Sequence, residues 1–152
     1  RRLVLCATAP GVVMVPARLS VLLKMATPRR YINADYARAV AGDIYGGDFR
    51  GNPALAADLF RHVRWQSRLG YYLQLGAIWG WTSWHRLHRV HAPTLLLMGD
   101  DDPIVPPING RIVAARLRDV RLESVTCGHL FVFTRAGETA QRVERFLGAH
   151  PA

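Results

Sequence analysis

The chain has 152 residues, of which 50% are hydrophobic and 20% charged, and this balance excludes an intrinsically disordered segment and indicates one soluble globular domain. Its formal charge is +9, and 19 of its 20 basic residues are arginine. The arginines occur singly or in pairs, which favours a solvated basic surface over a nucleic-acid site. We therefore expect no nucleic-acid partner.

The apolar segments are too short for a signal peptide or a membrane span. The run after Arg1-Arg2 ends after about five residues, and a signal peptide needs about 7–15. The longest apolar stretch, Leu69 to Trp84, has 16 residues, whereas a membrane helix needs about 20. Two cysteines, Cys6 and Cys127, are too few for a disulfide framework and favour a reducing compartment. We expect a cytoplasmic protein with no membrane span.

The first predicted element is a strand over Leu3–Thr8. This continuous apolar run ends at Ala9-Pro10-Gly11, a pattern typical of a strand buried on both faces. The connection that follows reaches about Arg30 and contains one short predicted helix around Leu19–Met25. We expect these residues to form the first core strand and the path away from it.

Three predicted helices follow. Asn33 can cap the first, which Gly46-Gly47 ends, and Asn52-Pro53 provides a cap and a first helical proline for the second. The third runs from Leu69 to about His88 and is rich in Tyr and Trp. The apolar residues at helical spacing in the first two helices are Tyr36, Val40 and Ile44, then Leu55, Leu59 and Val63.

The remaining pattern is strand, helix, strand, helix. The predicted strands are Thr94–Met98 and Arg121–Thr126, and the predicted helices are Asn109–Leu117 and Ala136–Leu147. The apolar stripe of the last helix is predicted at Ala136, Ala140, Val143 and Leu147.

This order predicts an α/β fold with parallel strands and crossover helices. Residues 1–30 are expected to form the first core strand and its connection, and residues 31–91 an inserted helical lid. Residues 92–152 are expected to form the C-terminal core.

Asp102 and His129 lie in two loops at the carboxyl ends of predicted strands. Functional residues of a parallel sheet gather at this edge. Asp102 and His129 are 27 residues apart, which suits one helix and one strand between adjacent strand ends. A carboxylate beside an imidazole sets the ring tautomer and stabilises the imidazolium that forms when histidine takes a proton. We predict that Asp102 and His129 form a catalytic pair.

The stretch Pro93–Pro106, PTLLLMGDDDPIVP, with the later Gly128-His129, resembles the C-terminal part of the α/β-hydrolase family. The family's acid lies three residues after the glycine and four before the proline, and this selects Asp102 from the three consecutive aspartates. More narrowly, the chain resembles the intracellular depolymerases of medium-chain-length polyhydroxyalkanoates. The matching stretches are Pro28–Ile32, Ile44–Arg50, Leu69–Leu75, Gly80–His85 and Gly128–Phe131.

The resemblance implies a serine ester hydrolase that works through an acyl-enzyme. His129 would act as general base and then general acid, and Asp102 would orient it. The implied partner is a polyester or ester substrate, with the surface of cytoplasmic storage granules as a further one. The aromatic side chains expected to bind substrate are Tyr72, Trp79, Trp81 and Trp84, although packing within the lid explains them equally well.

The family's nucleophile is a serine in a G-x-S-x-G turn, and no such motif occurs in this sequence. Neither Ser20 nor Ser83 follows a predicted strand in a glycine-flanked turn. The resemblance places the nucleophile before Arg1, so we expect a piece of a longer protein that is inactive and prone to aggregate by itself. Cys127, two residues from His129, is expected to be inert.

Other interpretations stay open. Another α/β-hydrolase, such as an esterase, a lipase or a haloperoxidase-type enzyme, would share Asp102 and His129, and so would an epoxide or haloalkane hydrolase with an aspartate nucleophile. The chain could instead be a non-catalytic basic module that binds nucleic acid or an anionic granule coat. His85, His88 and His91 recur at every third residue, but no Cys or Glu completes a zinc set. We therefore expect neither a metal nor a cofactor.

Overall fold

The computed structural model describes residues 1–61 and 67–148, and within them a sheet of three parallel strands forms the core. The strands are β1 (Leu3–Cys6), β2 (Thr94–Gly99) and β3 (Val120–Val125), in the order β1-β2-β3. Thr94 pairs with Leu3 on one side and with Val120 on the other. The predicted α/β fold with parallel strands is confirmed, and each predicted strand lies within two residues of its observed position.

The burial of the strands separates the centre of this sheet from its edge. All six residues of β2 are buried, as a run of apolar residues between two neighbouring strands requires. All four residues of β1 are half-buried rather than buried, but Leu5 packs against the apolar cluster on one face of the sheet, and Val4 and Cys6 pack against the cluster on the other. The strand is therefore covered on both faces, as predicted, although it is less buried than β2. Within the described residues β1 pairs with β2 alone, and its other edge carries no strand.

The helices fall into two groups, one before β2 and one after it. The block between β1 and β2 is helical, as predicted, and one crossover helix joins β2 to β3. The first group is α1 (Leu19–Met25), α2 (Arg29–Ile32), α3 (Ala34–Tyr45), α4 (Asp48–Gly51), α5 (Ala54–Arg61), α6 (Arg68–Ile78) and a short 3₁₀ helix (Leu87–Arg89). The second group is α7 (Ile108–Ala114), α8 (Phe131–Thr134) and α9 (Ala136–Gly148). The division at residues 30 and 91 stays a prediction.

Helix α3 begins and ends where the sequence signals predict. The side chain of Asn33 accepts a hydrogen bond from the backbone N–H of Tyr36 at 2.8 Å, and Gly46, with a φ of 65°, ends the helix. Helix α5 begins at Ala54, one residue after Pro53. Val63, predicted on its apolar face, lies outside the described residues.

The third predicted helix ends about ten residues too late. Helix α6 ends at Ile78 rather than near His88. Gly80 adopts a φ of 88°, and the chain beyond it forms an isolated bridge between Thr82 and Gly11. The backbone N–H of Val12 donates to the Trp81 carbonyl at 2.9 Å. This pairing with the loop after β1 holds the chain extended where its local pattern predicts a helix.

The buried face of α9 is also different from the predicted stripe, which was Ala136, Ala140, Val143 and Leu147. In the structure Thr139 is buried, and Val143 and Phe146 pack against the core. The predicted stripe is therefore wrong at three of its four positions, since Ala136, Ala140 and Leu147 are exposed. Burying the ring of Phe146 removes more apolar area from water than burying Leu147 would, and this favours the observed orientation.

Apolar residues cover both faces of the sheet. Leu96 and Met98 of β2 pack beneath α7, and Leu95 and Leu97 pack on the other face against Phe131. A separate apolar cluster lies in the helical block and consists of Val40, Ala41, Ile44, Tyr45, Phe49 and Ala56. The helical block thus has its own core beside the sheet.

Asn109 of α7 is fully buried and ties the loop after β1 to the sheet layer. Its side-chain oxygen accepts from the Val15 N–H at 2.8 Å, and its amide nitrogen donates to the Val15 carbonyl at 2.9 Å. We expect Asn109→Ala to lower the free energy of unfolding by about 2 kcal/mol, because it leaves two backbone groups without partners. Urea unfolding of the complete protein measures this as a lower midpoint. The control is Gln141→Ala at an exposed position of α9, and equal midpoints for the two variants would contradict the expectation.

Candidate active site

Asp102 and His129 lie side by side at the carboxyl ends of β2 and β3. The Nδ1 atom of His129 is 2.8 Å from Oδ2 of Asp102. The Asp102 side chain is fully buried, and the His129 side chain is 23% exposed. The structure therefore brings together the two residues predicted as a pair, with the carboxylate inside and part of the imidazole accessible from outside.

The buried carboxylate of Asp102 has partners for both of its oxygens. Oδ1 accepts hydrogen bonds from the backbone N–H groups of Ile104 at 2.9 Å and Val105 at 2.8 Å, while Oδ2 faces His129. These bonds stabilise the buried anion and fix its orientation. A carboxylate in this place favours the imidazole tautomer with its proton on Nδ1, and Nε2 can then accept a proton.

The backbone of the histidine loop is held by the end of α3. The His129 N–H donates to the Tyr45 carbonyl at 2.8 Å. A Cβ atom at Gly128 would lie only 1.9 Å from this carbonyl oxygen, and one at Gly47 would lie 2.0 Å from the Gly128 nitrogen. Only glycine fits at these two positions, so the loop and the end of the helix pack backbone against backbone.

We call residues 45–50, at the junction of α3 and α4, the lid clamp. The Gly47 N–H of this segment donates to Oδ2 of Asp101 at 2.7 Å. Arg50 forms a two-pronged ion pair with the same carboxylate, with Nε 2.6 Å from Oδ2 and Nη2 2.9 Å from Oδ1. The hydrogen bonds from Arg50 hold the pKa of Asp101 below its ordinary value, and the Gly47 N–H adds to this effect.

A second ion pair joins the lid clamp to the residues after the histidine loop. Arg135 donates to both carboxylate oxygens of Asp48, at 3.0 and 2.6 Å, and the Cys127 thiol lies 3.3 Å from Oδ2. Burial raises the pKa of Asp48, but hydrogen bonds from Arg135, Thr134 and Cys127 outweigh it and leave the pKa below its ordinary value.

Sequence reasoning missed both ion pairs. Arg50 and Asp101 are 51 residues apart, and Asp48 and Arg135 are 87 apart. No periodic or spacing signal joins residues at such distances. The one available signal is the stretch Ile44–Arg50, which contains the whole lid clamp and is one of the stretches that carry the family resemblance.

The four predicted substrate-binding aromatics do not lie in one environment. The exposed fractions of Tyr72, Trp79 and Trp81 are 49%, 88% and 56%. Trp84 is half-buried against the cluster around Leu96, and the Arg116 guanidinium lies 4.8 Å from the centre of a ring of its indole. Trp84 thus contributes to the core beneath α7, and the predicted substrate contact of all four residues stays a prediction.

Two cavities border the lid clamp. One, of about 340 Å³, is lined by Arg50, by Asp101 and Asp102, and by residues of α1 including Lys24. The other, of about 740 Å³, is lined by Asp48, Arg135 and exposed parts of Phe133.

Among residues 1–61 and 67–148 no group of three or more His, Cys, Asp and Glu side chains is placed to hold a metal ion. No helix in the described part of the chain is long and apolar enough to cross a membrane.

The parallel sheet and the Asp102–His129 pair are consistent with the result of comparing the chain with models of known protein families. The model of the alpha/beta hydrolase family matches residues 1–142. The chain therefore belongs to the alpha/beta hydrolase family, as its sequence motifs predicted.

Curated relatives narrow this resemblance. The chain is 48% identical over 147 residues to the poly(3-hydroxyalkanoate) depolymerase of Ectopseudomonas oleovorans, and the match covers 97% of this chain and 52% of that protein. It is 31% identical over 83 residues to a proline iminopeptidase of Pestalotiopsis fici, a match that covers 55% of this chain and 29% of that one. The predicted resemblance to polyhydroxyalkanoate depolymerases is confirmed. The chain spans about half the length of the depolymerase it matches.

Solved structures share the fold. The enol-lactonase from Burkholderia xenovorans LB400 superimposes with a TM-score of 0.75 at 22% identity, over 98% of this chain and 56% of that one. A meta-cleavage product hydrolase from Pseudomonas fluorescens IP01 gives a TM-score of 0.72 at 17% identity, over 96% and 55% of the two chains. At these identities the comparison shows the fold alone.

Proposed function

We propose that the protein to which this chain belongs hydrolyses poly(3-hydroxyalkanoate) with a Ser-His-Asp triad, of which this chain supplies Asp102 and His129. The observation that carries the proposal is the buried Asp102 carboxylate 2.8 Å from Nδ1 of His129. The 48% identity to a poly(3-hydroxyalkanoate) depolymerase supports the substrate class. The nucleophile is a serine from a part of the protein outside this sequence, because the sequence has no G-x-S-x-G motif.

The reaction follows from this arrangement. Nε2 of His129 takes the proton of the serine hydroxyl as its oxygen attacks the ester carbonyl, and the imidazolium then gives that proton to the departing alkoxide. Water, deprotonated by the same imidazole, cleaves the acyl-enzyme and releases a hydroxy acid, and the imidazolium returns this proton to the departing serine oxygen. Asp102 stabilises the imidazolium in both halves, because its negative charge lies against Nδ1–H. This chain without the serine is inactive.

The exposed aromatics of the lid suit a polyester with alkyl side chains. Tyr72, Trp79 and Trp81 offer large apolar surfaces to solvent, and contact with such a substrate, or with the surface of a cytoplasmic storage granule, would remove them from water. Trp84 is a weaker candidate for this contact because Arg116 already covers its indole.

The test begins with the coding sequence upstream of the codon for Arg1. The proposal expects an in-frame extension of roughly a hundred residues or more that carries a G-x-S-x-G elbow. The complete protein should then release 3-hydroxy acids from a suspension of medium-chain polyester and lose this activity after a serine-directed phosphonate. An aspartate at the elbow would overturn the proposal in favour of epoxide or haloalkane hydrolysis. A stop codon there would favour the non-catalytic binding module.

A further inference from the structure

The lid clamp contacts both of the loops that carry the proposed catalytic residues. At the acid loop, Asp101 accepts one hydrogen bond from the Gly47 N–H and two from Arg50. At the histidine loop, the Tyr45 carbonyl accepts from the His129 N–H at 2.8 Å. Six consecutive residues of the helical block therefore connect two loops that belong to different strands of the sheet.

These contacts form a closed loop of covalent and hydrogen bonds between the three segments. Asp101 is the chain neighbour of Asp102, Asp102 bonds the His129 ring, and the His129 N–H bonds Tyr45. Tyr45 leads through Gly46 to Gly47, whose N–H returns to Asp101. A displacement of Asp101 therefore reaches the His129 imidazole by two routes. One runs through Asp102, which bonds Nδ1, and the other runs through residues 45–47 to the backbone N–H of His129.

Close backbone packing restricts the movement of the segments that these bonds connect. A Cβ atom at Gly46 would lie 1.9 Å from the Asp101 carbonyl oxygen, and one at Gly47 would lie 2.0 Å from the Gly128 nitrogen. The two glycines thus pack against both the acid loop and the histidine loop, which also contact each other directly through the hydrogen bond from the Asp101 N–H to the Cys127 carbonyl at 3.1 Å.

We propose that Asp101 and Arg50 are positioning residues, which hold the lid clamp against the acid loop and thereby set the place of the His129 imidazole. The inference rests on the proposed hydrolase function. The side chains of Arg50 and Asp101 are 50% and 45% exposed, and ion pairs this exposed contribute little to global stability. Their loss therefore affects the geometry of the site more than the folding of the chain.

The first test replaces Asp101 in the complete protein. Asp101→Ala removes the acceptor for Gly47 and Arg50, and we expect kcat on a soluble medium-chain ester to fall about 10–100-fold, because a displacement near 1 Å costs this much. We expect KM and the thermal midpoint to change little. Asp101→Asn keeps an acceptor for the Gly47 N–H without its charge, so it should lose less and restore part of kcat. Arg50→Lys keeps the charge without the two-pronged geometry and should fall between the wild type and Asp101→Ala.

The matched control is Asp35→Asn. Asp35 forms an exposed ion pair with Arg38, three residues further along α3, so the variant removes the same charge and breaks an exposed Asp–Arg pair that does not touch either loop. We expect kcat for Asp35→Asn to stay at the wild-type value. Equal kcat values for Asp101→Ala and Asp35→Asn would overturn the proposal.

A second measurement does not depend on turnover. Hydrogen exchange at the amide of His129 reports its bond to the Tyr45 carbonyl, and we expect exchange at least about 10-fold faster in Asp101→Ala than in Asp35→Asn. Unchanged exchange would overturn the positioning role even where activity falls. If His129→Ala left turnover intact, the proposed function would fail, and the exchange rates would still decide whether Asp101 holds the loop.

Discussion

Replacing His129 with alanine in the complete protein is expected to lower kcat on ester substrates about 10⁶-fold, because the imidazole is the group that takes the proton from the serine. KM should change by less than about threefold, since the imidazole acts in the transition state and adds little to ground-state binding. Steady-state kinetics on a soluble medium-chain ester measure both constants. His91→Ala, at an exposed position before β2, is the matched control and should keep wild-type turnover.

Asp102→Asn tests the other half of the pair. The asparagine can keep the acceptor for the backbone N–H groups of Ile104 and Val105, so the loop should stay folded. Its amide nitrogen then faces Nδ1 and favours the wrong tautomer of His129, with no negative charge to stabilise the imidazolium. We expect a loss of about 10³-fold or more in kcat. Unaltered turnover in either variant would mean that the site lies elsewhere.

The pairing of Asp102 with His129 could be predicted because it depends on topology. Parallel strands place their carboxyl ends at one edge, and the two residues follow adjacent strands at a spacing that allows one crossover helix. The buried run of β2 and the caps of α3 are equally local signals, and the structure confirms both. Their physical cause lies within a few residues of each signal.

The errors share the opposite cause. Helix α6 ends early because the chain after it pairs with Gly11, and α9 turns Phe146 inward, where it packs against the cluster around Phe131. The lid clamp depends on how α3 meets two loops more than 50 residues away in the sequence. Each of these contacts forms only when the elements pack together, so it cannot be predicted from local propensity.

The close packing of the lid clamp against the histidine loop leaves no room for a side chain at Gly128. A Cβ atom there would lie 1.9 Å from the Tyr45 carbonyl oxygen and 2.6 Å from the Gly46 carbonyl carbon, both rigid backbone atoms. Gly128→Ala must therefore push the histidine loop away from α3 and stretch the bond between the His129 N–H and Tyr45. We expect the free energy of unfolding to fall by about 3 kcal/mol, as for other substitutions that force the backbone of a packed region to move.

Activity should fall together with stability in Gly128→Ala, because the displaced loop carries the imidazole away from Asp102. Urea unfolding and kcat on the soluble ester, measured on the same preparation of the complete protein, test the two effects. The matched control is Gly51→Ala in α4, where a Cβ atom would meet nothing within 4 Å. That variant should be neutral or more stable by up to about 1 kcal/mol, because alanine restricts the unfolded chain more than glycine does. A Gly128→Ala protein as stable and active as the Gly51→Ala protein would show that the loop and the end of α3 are not in backbone contact.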